Sequence, residues 1–277
     1  MTPPWRDRDR SESAGYADRR QAGTVLAERL VGLKGRRDVL VLALPRGGVE
    51  VAYEVARALD APLDVLVVRK IGAPGREELA LGALATGDVL VLDERLARQF
   101  GVGGQELTAL KERARVELER RERLYRGDRP PLDVAGKVVV LVDDGLATGS
   151  TMRAAVAALR TRRPLRVVVA APVGPPPVCQ IIREEADEVV CLLEPPAMYA
   201  VGSWYGDFSQ TSDDEVRRLL DAARAEYEAA APVAGRDAVS GADDGDGSAA
   251  DERRSGGRPE AVSGAGAPDD RGDEDGR

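Results

Sequence analysis

The chain is 277 residues long, with 40 Lys+Arg against 48 Asp+Glu, a formal net charge of −8 and 43 % apolar residues, enough to bury a sizeable core. It contains no histidine and, read through, no asparagine. Those absences exclude Ser-His-Asp and Cys-His-Asn triads, imidazole general bases and His-ligated zinc. Catalysis here must run on carboxylates, Arg and Lys, hydroxyls, backbone N–H groups or an oxygen-held metal.

In chain order, 1–14 is polar and is expected to be a flexible N-terminus. Helical periodicity runs from about Tyr16 to Leu33, with Ala22, Leu26, Leu30 and Leu33 on one face. Asp38–Leu44 reads as a buried strand ended by Pro45-Arg46-Gly47-Gly48, Val49–Leu59 as a helix, and Asp64–Val68 as a second strand. Arg69-Lys70 closes that strand, ahead of a glycine-rich loop through Gly75; Leu79–Leu92 then holds two short extended pieces broken at Gly87-Asp88. From about Gln105 to Arg126 the pattern predicts an Arg/Glu-rich helix whose thin stripe, Leu107, Leu110, Ala114 and Leu118, suits an edge position. Its alternating charges suit a solvated face better than a nucleic-acid patch. Lys137–Val142 is the most strand-like stretch and leads through Asp143–Thr151 into a helix to about Arg160. Leu165–Ala171 and Glu188–Leu192 are further strands, flanking a helix over Pro177–Ala186, and a helix from Ser212 to Ala230 closes the folded part.

From Pro232 to Arg277 there are twelve acids, six arginines and ten glycines, with only Val233, Val239 and Val262 as sizeable apolar residues. Such a segment cannot offset its chain entropy, so 232–277 is expected to be a disordered acidic tail and 15–231 the folded domain. The body then carries a net −2, which argues against a nucleic-acid partner. Cys179 and Cys191 lack CxxC spacing and read as small core residues in a reducing compartment. Without an apolar leader or an 18-residue apolar run, a cytoplasmic protein with no membrane partner is expected.

Near-continuous Val/Leu strands alternating with helices predict an α/β fold: a mostly parallel sheet covered by helices on both faces, with a small hood or flap. Ligands in such sheets bind at the carboxyl ends of strands, so the loops at Pro45, Arg69 and Asp143 should converge. Val138–Thr151, V-V-V-L-V-D-D-G-L-A-T-G-S-T, carries the most information. A buried strand delivers two adjacent carboxylates to a rim, and a small-residue loop with Thr148, Ser150 and Thr151 opens onto a helix N-terminus. Loop N–H groups, hydroxyls and the helix dipole make a cradle for a phosphate monoester. The spacing is not that of a P-loop. In Pro45-Arg46-Gly47-Gly48, glycine admits an anion to the backbone and Arg46 adds charge-assisted hydrogen bonds; a plain strand-to-helix turn is the competing reading. Arg69-Lys70 is either a second cationic pair for that anion or ordinary surface charge.

The Val138–Thr151 motif resembles the phosphoribosyl-pyrophosphate signature of the type I phosphoribosyltransferases over fourteen positions. L-P-R-G-G and V-V-R-K-I-G-A-P extend the likeness, which is greater to an uncharacterised bacterial branch of that family than to its salvage enzymes. The resemblance implies displacement of pyrophosphate from phosphoribosyl pyrophosphate by an acceptor nitrogen, within nucleotide metabolism. Asp143 and Asp144 would hold the ribose hydroxyls, and Ala147, Thr148, Gly149, Ser150 and Thr151 the 5′-phosphate. Arg46, Gly47, Gly48, Arg69 and Lys70 would hold the pyrophosphate, with Arg46, Lys70 and Asp144 the candidate catalytic residues. It further implies Mg²⁺ held mainly by the substrate, with no direct protein ligand expected and Asp143 and Asp144 left open as donors, a cis peptide at Pro45–Arg46, and a flap over Ile71–Leu79 with Gly72 and Gly75 as hinges. A homodimer is left open. Where 6-oxopurine enzymes place an acid, this chain has Ala147. Tyr199–Gln210, with Trp204, Tyr205 and Phe208, is either a hood for the acceptor ring or core packing. A ligand-binding regulator without turnover is the alternative function.

Overall fold

The structure is a computed structural model in which residues 15–230 are described, all within one compact unit; the expectations for 1–14 and for the tail lie outside the described residues. The Val/Leu runs form five parallel strands because their side chains fill both faces of a covered sheet. In sequence these are β1 (Val39–Ala43), β2 (Leu63–Val65), then, beyond a separate sheet described below, β6 (Val138–Val142), β7 (Arg166–Val173) and β8 (Glu188–Leu193); across the sheet the order is β2-β1-β6-β7-β8. Alternate residues divide between two cores. Val39, Val41, Val138, Val140 and Val142 pack with α1 (Arg19–Arg29), α2 (Gly48–Leu59) and α7 (Asp213–Ala230), through Leu26, Val51, Val55, Leu59, Val216 and Leu219. Leu40, Leu42, Val139 and Leu141 pack with α5 (Ser150–Thr161) and α6 (Pro176–Glu185), through Met152, Val156, Leu159 and Ile182. Each such burial contributes about 1.5–3 kcal/mol.

The predicted strand over Asp64–Val68 needs correction. β2 ends at Val65, and the chain turns away through Val67, which exchanges hydrogen bonds with Thr86. A second, antiparallel sheet begins there: β3 (Val68–Ala73), β4 (Arg76–Ala85) and β5 (Val89–Leu92). Arg69 and Lys70 therefore lie inside β3 and not in a loop at the end of a parallel strand. The expected flap is the β3–β4 hairpin, with Gly75 left-handed in its turn (φ 69°) and Gly72 at a register shift within β3. Gly87-Asp88 makes the β4–β5 turn, as its dipeptide predicts, with both residues left-handed.

A short helix, α3 (Glu94–Gln99), has no counterpart among the predicted elements; Asp93 caps it by accepting from the Leu96 N–H at 2.9 Å. Helix α4 (Gly104–Arg126) packs at an edge through Ala114, Leu118 and Tyr125, and its outer face is laced by Glu112–Arg115 and Glu117–Arg120 pairs. Its last residue, Arg126, meets Asp64 at 2.8 and 2.9 Å in a buried pair that ties α4 to the β2 edge. Among the described residues, no helix is long and apolar enough to cross a membrane.

Candidate functional site

Two of the three loops converge. A β-carbon placed on Gly47 would lie 2.0 Å from Asp144 Oδ2, and one on Gly48 would lie 3.0 Å from the Asp143 Cα. The Pro45–Gly48 loop is thus pressed against the paired acids, and glycine is required there by space. The Pro45–Arg46 peptide is cis, as the resemblance implies.

Beyond the acids, Gly149 takes a left-handed conformation (φ 70°) at the N-cap of α5, with Val178 and Ile182 of α6 directly beneath it. Gly149, at the N-cap, offers no side chain to α5, and among its first N–H groups only that of Ser150 meets a side chain, the Thr148 hydroxyl at 3.4 Å. The N–H groups of that turn and the helix dipole are therefore presented to the loop, where an anion would complete the helix end. Thr148 and Ser150 hydroxyls lie 3.0 Å apart beside it; Ala147 and Thr148 are exposed and Ser150 is half-buried. The small-residue loop thus opens onto a helix N-terminus, the local arrangement the residue pattern predicts.

Burial pushes the Asp143 carboxyl well above the ordinary carboxylate range, and the neighbouring Asp144 charge adds to the rise. Asp144 is also raised by burial, against the opposing pull of Arg19. Arg19 is the residue sequence reasoning missed. Only 6 % exposed, it donates Nε to Asp144 Oδ2 at 2.8 Å and a terminal N–H to the Ser209 carbonyl at 2.7 Å. Its guanidinium lies 3.8 Å over the Phe208 ring. A signal was present: position 19 continues the apolar face of Ala22, Leu26 and Leu30 one turn earlier, and an arginine on such a face needs a partner.

The Tyr199–Gln210 stretch covers the loop. Tyr205 donates its hydroxyl to the Asp144 carbonyl, packs against Tyr16 and Phe208, and has its hydroxyl pKa raised by burial. Val201 contacts Gly145 so closely that a β-carbon there would lie 2.4 Å from it. Tyr205 and Phe208 thus serve packing, whereas Tyr199 is 98 % exposed beside Trp204, over a cavity of about 440 Å³.

Arg46 is half-buried in the Pro45 loop; Arg69 and Lys70 are exposed on β3. Lys70 lines a cavity of about 540 Å³ shared with Ser150 and Arg153, which brings it alongside that loop. Arg69 lines a different cavity, about 560 Å³, between the hairpin and α4; Lys70 borders that one too.

A family model described as phosphoribosyl transferase domain matches residues 17–195. Rv0571c of Mycobacterium tuberculosis (strain H37Rv), which carries the provisional name of a phosphoribosyl transferase, is 44 % identical over 218 residues, 79 % of this chain and 49 % of its own. The chain thus spans about half the length of this relative and of its counterpart in strain CDC 1551. The bifunctional protein PyrR of Bacillus mycoides (strain KBAB4) is 31 % identical over 113 residues, 38 % of this chain and 61 % of its own. The crystal structure of TT1426 from Thermus thermophilus is 45 % identical, covering 74 % of this chain and 97 % of its own with a TM-score of 0.67.

Proposed function

The chain belongs to the phosphoribosyl transferase domain family, and from that premise we propose that it moves the phosphoribosyl group of phosphoribosyl pyrophosphate onto a heterocyclic nitrogen acceptor, releasing pyrophosphate. The observation that carries the proposal is the contact of the Pro45–Gly48 loop with the Asp143-Asp144 pair, next to an α5 N-terminus whose N-cap is a glycine with no side chain to give. Asp143 and Asp144 take the ribose hydroxyls, and Ala147–Thr151 take the 5′-phosphate through backbone N–H groups and hydroxyls. Arg46, Gly47 and Gly48 receive the pyrophosphate, with Lys70 and Arg69 reaching it from the hairpin. The breaking bond leaves charge on pyrophosphate, so stabilising the leaving group is the main demand, and a histidine-free chain meets it with cations and backbone N–H groups.

Mg²⁺ suits this donor set, since the loop offers hard oxygens and neither imidazole nor thiol. We propose that substrate oxygens hold most of its coordination sphere, that Asp143 and Asp144 are the protein donors, and that the ion neutralises pyrophosphate. Two unpaired thiols fit a reducing cytoplasm. A regulator without turnover has no specific observation in its favour, and the assay that tests the enzyme reading separates the two.

That assay is pyrophosphate release from phosphoribosyl pyrophosphate and Mg²⁺ across a panel of nucleobases and related heterocycles. At least one acceptor should give turnover; binding without release for every acceptor would support the regulator. Hypoxanthine and guanine are expected to be poor acceptors, by about 10²–10⁴-fold, because Ala147 supplies no carboxylate to the base. Efficient turnover of either would mean that another residue does so.

Lys70→Ala is expected to weaken pyrophosphate binding about tenfold or more while leaving ribose 5-phosphate affinity unchanged, since the latter has its own cradle. Calorimetry with the two ligands decides. Equal weakening of both would assign Lys70 to the fold, and no change in either would make it plain surface charge.

A further inference from the structure

Among the described residues, Cys179, Cys191 and Glu194 bring two Sγ atoms and a carboxylate oxygen within 4.8 Å of one another. They come from the first turn of α6, from β8 and from the residue after β8. We propose that these three side chains form a site for a thiophilic divalent cation of the Zn²⁺ class, separate from the phosphoribosyl site and from any Mg²⁺ there.

Four features support it. The first is geometric: donors about 2.0–2.3 Å from a tetrahedral ion are separated by about 3.5–3.8 Å, so each need move by no more than about an ångström to close on a cation. Access is the second, because Cys179 is fully buried but Cys191 and Glu194 are partly exposed, which leaves one open side for entry and for a water as fourth ligand.

The third feature is the surroundings of the carboxylate. Arg183 donates to both Glu194 oxygens, one contact at 3.3 Å. A carboxylate offers about four lone-pair directions, so this fork orients Glu194 without exhausting it, as partners of ligating carboxylates do. Charge is the fourth. Two thiolates and a carboxylate sum to −3, and Arg183 with a divalent cation brings the cluster to neutrality.

The hydrogen bond to Cys179 and burial both push the Cys191 thiol up, so the arriving cation has to displace its proton; the Leu193 carbonyl that accepts that S–H at 3.3 Å keeps a donor in the Gly174 N–H at 3.0 Å. Thiolate donors select Zn²⁺ or Cd²⁺ over Mg²⁺.

The site also has a place in the fold. A β-carbon on Gly174 would lie 3.1 Å from Cys179 Sγ and 2.9 Å from the Leu146 Cβ, so the cluster abuts the loop that carries Asp143 and Asp144. A cation there would clamp α6, whose Val178 and Ile182 floor Gly149, to the edge strand β8.

The test is a titration of the reduced, metal-stripped full chain with Co²⁺, which reports thiolate ligation by charge-transfer absorption and tetrahedral geometry by its visible bands. One equivalent should saturate both signals, and Zn²⁺ should erase them. Cys179→Ser and Cys191→Ser should each remove most of the charge transfer, and Glu194→Gln should weaken binding roughly tenfold or more. On the unaltered chain, Zn²⁺ should slow alkylation of the thiols by iodoacetamide, a readout that stands even where a serine variant fails to fold. The proposal is overturned if Co²⁺ gives no charge-transfer band, if the band survives both serine substitutions, or if alkylation is indifferent to Zn²⁺.

Discussion

Alanine at position 47 is expected to cut binding of phosphoribosyl pyrophosphate by about 10²-fold or more while the chain stays folded. The reason is space and not conformation. Gly47 has φ −57° and ψ −35°, which any residue adopts, so its replacement carries no backbone penalty and removes some entropy from the unfolded chain. The added methyl, however, would sit 2.0 Å from Asp144 Oδ2 and 2.8 Å from Arg19 Nε. Asp144 has to swing away, and its carboxylate leaves the position beside the Pro45 loop. Gly32→Ala is the control: nothing lies within 4 Å of that β-carbon, and neither stability nor binding should fall. Calorimetry gives the affinities and urea unfolding the stabilities. Wild-type affinity in Gly47→Ala would show that the carboxylate is not needed where the loop holds it.

This dependence of one loop on another marks the boundary of what the residues alone disclose. K-V-V-V-L-V-D-D-G predicts a buried strand and a polar rim because both are local: the run is apolar on either face, and the acids follow it immediately. The five parallel strands, the loop opening onto α5 and the meeting of the Pro45 and Asp143 loops follow from that logic. Arg69 and Lys70 do not. Two cations followed by Gly72, Pro74 and Gly75 read as a loop, and what makes them a strand is pairing with Leu84 and Ala83 in β4, which no local periodicity encodes. The consequence is geometric: Lys70 and Ser150 line one cavity, and Lys70 does not stand on the rim of the parallel sheet. Helix α3 escapes detection because it is six residues long, although Asp93 supplies a cap signal. Arg19 is visible only as an anomaly on an apolar face, and its partner lies 125 positions away.

Arg19→Met should cost about 3–5 kcal/mol of stability near pH 8, with a much smaller loss near pH 5. Arg19 and Asp144 are both well buried, at 7 % and 16 % side-chain exposure, with Asp143 adjoining, so removing the guanidinium leaves two buried carboxyls and no cation in contact. Burial already raises Asp144, and Arg19 is what opposes the rise; without it the folded-state pKa climbs further above the unfolded value of about 3.9. A group raised on folding favours the folded state while protonated and loses that contribution as pH climbs through its folded pKa. The gap between variant and wild type must therefore widen from acid to alkaline pH. What remains at the acid end is the lost contact with Phe208, the hydrogen bond to Ser209 and the longer ion pair with Glu50 at 3.9 Å, about 1–2 kcal/mol together. Arg19→Lys keeps a charge but not the fork, and should fall between the two. Urea midpoints at both pH values separate the causes. A loss of equal size at each would mean that Arg19 acts through packing, joining α1 to the Phe208 segment, and that Asp144 keeps its charge by some other means.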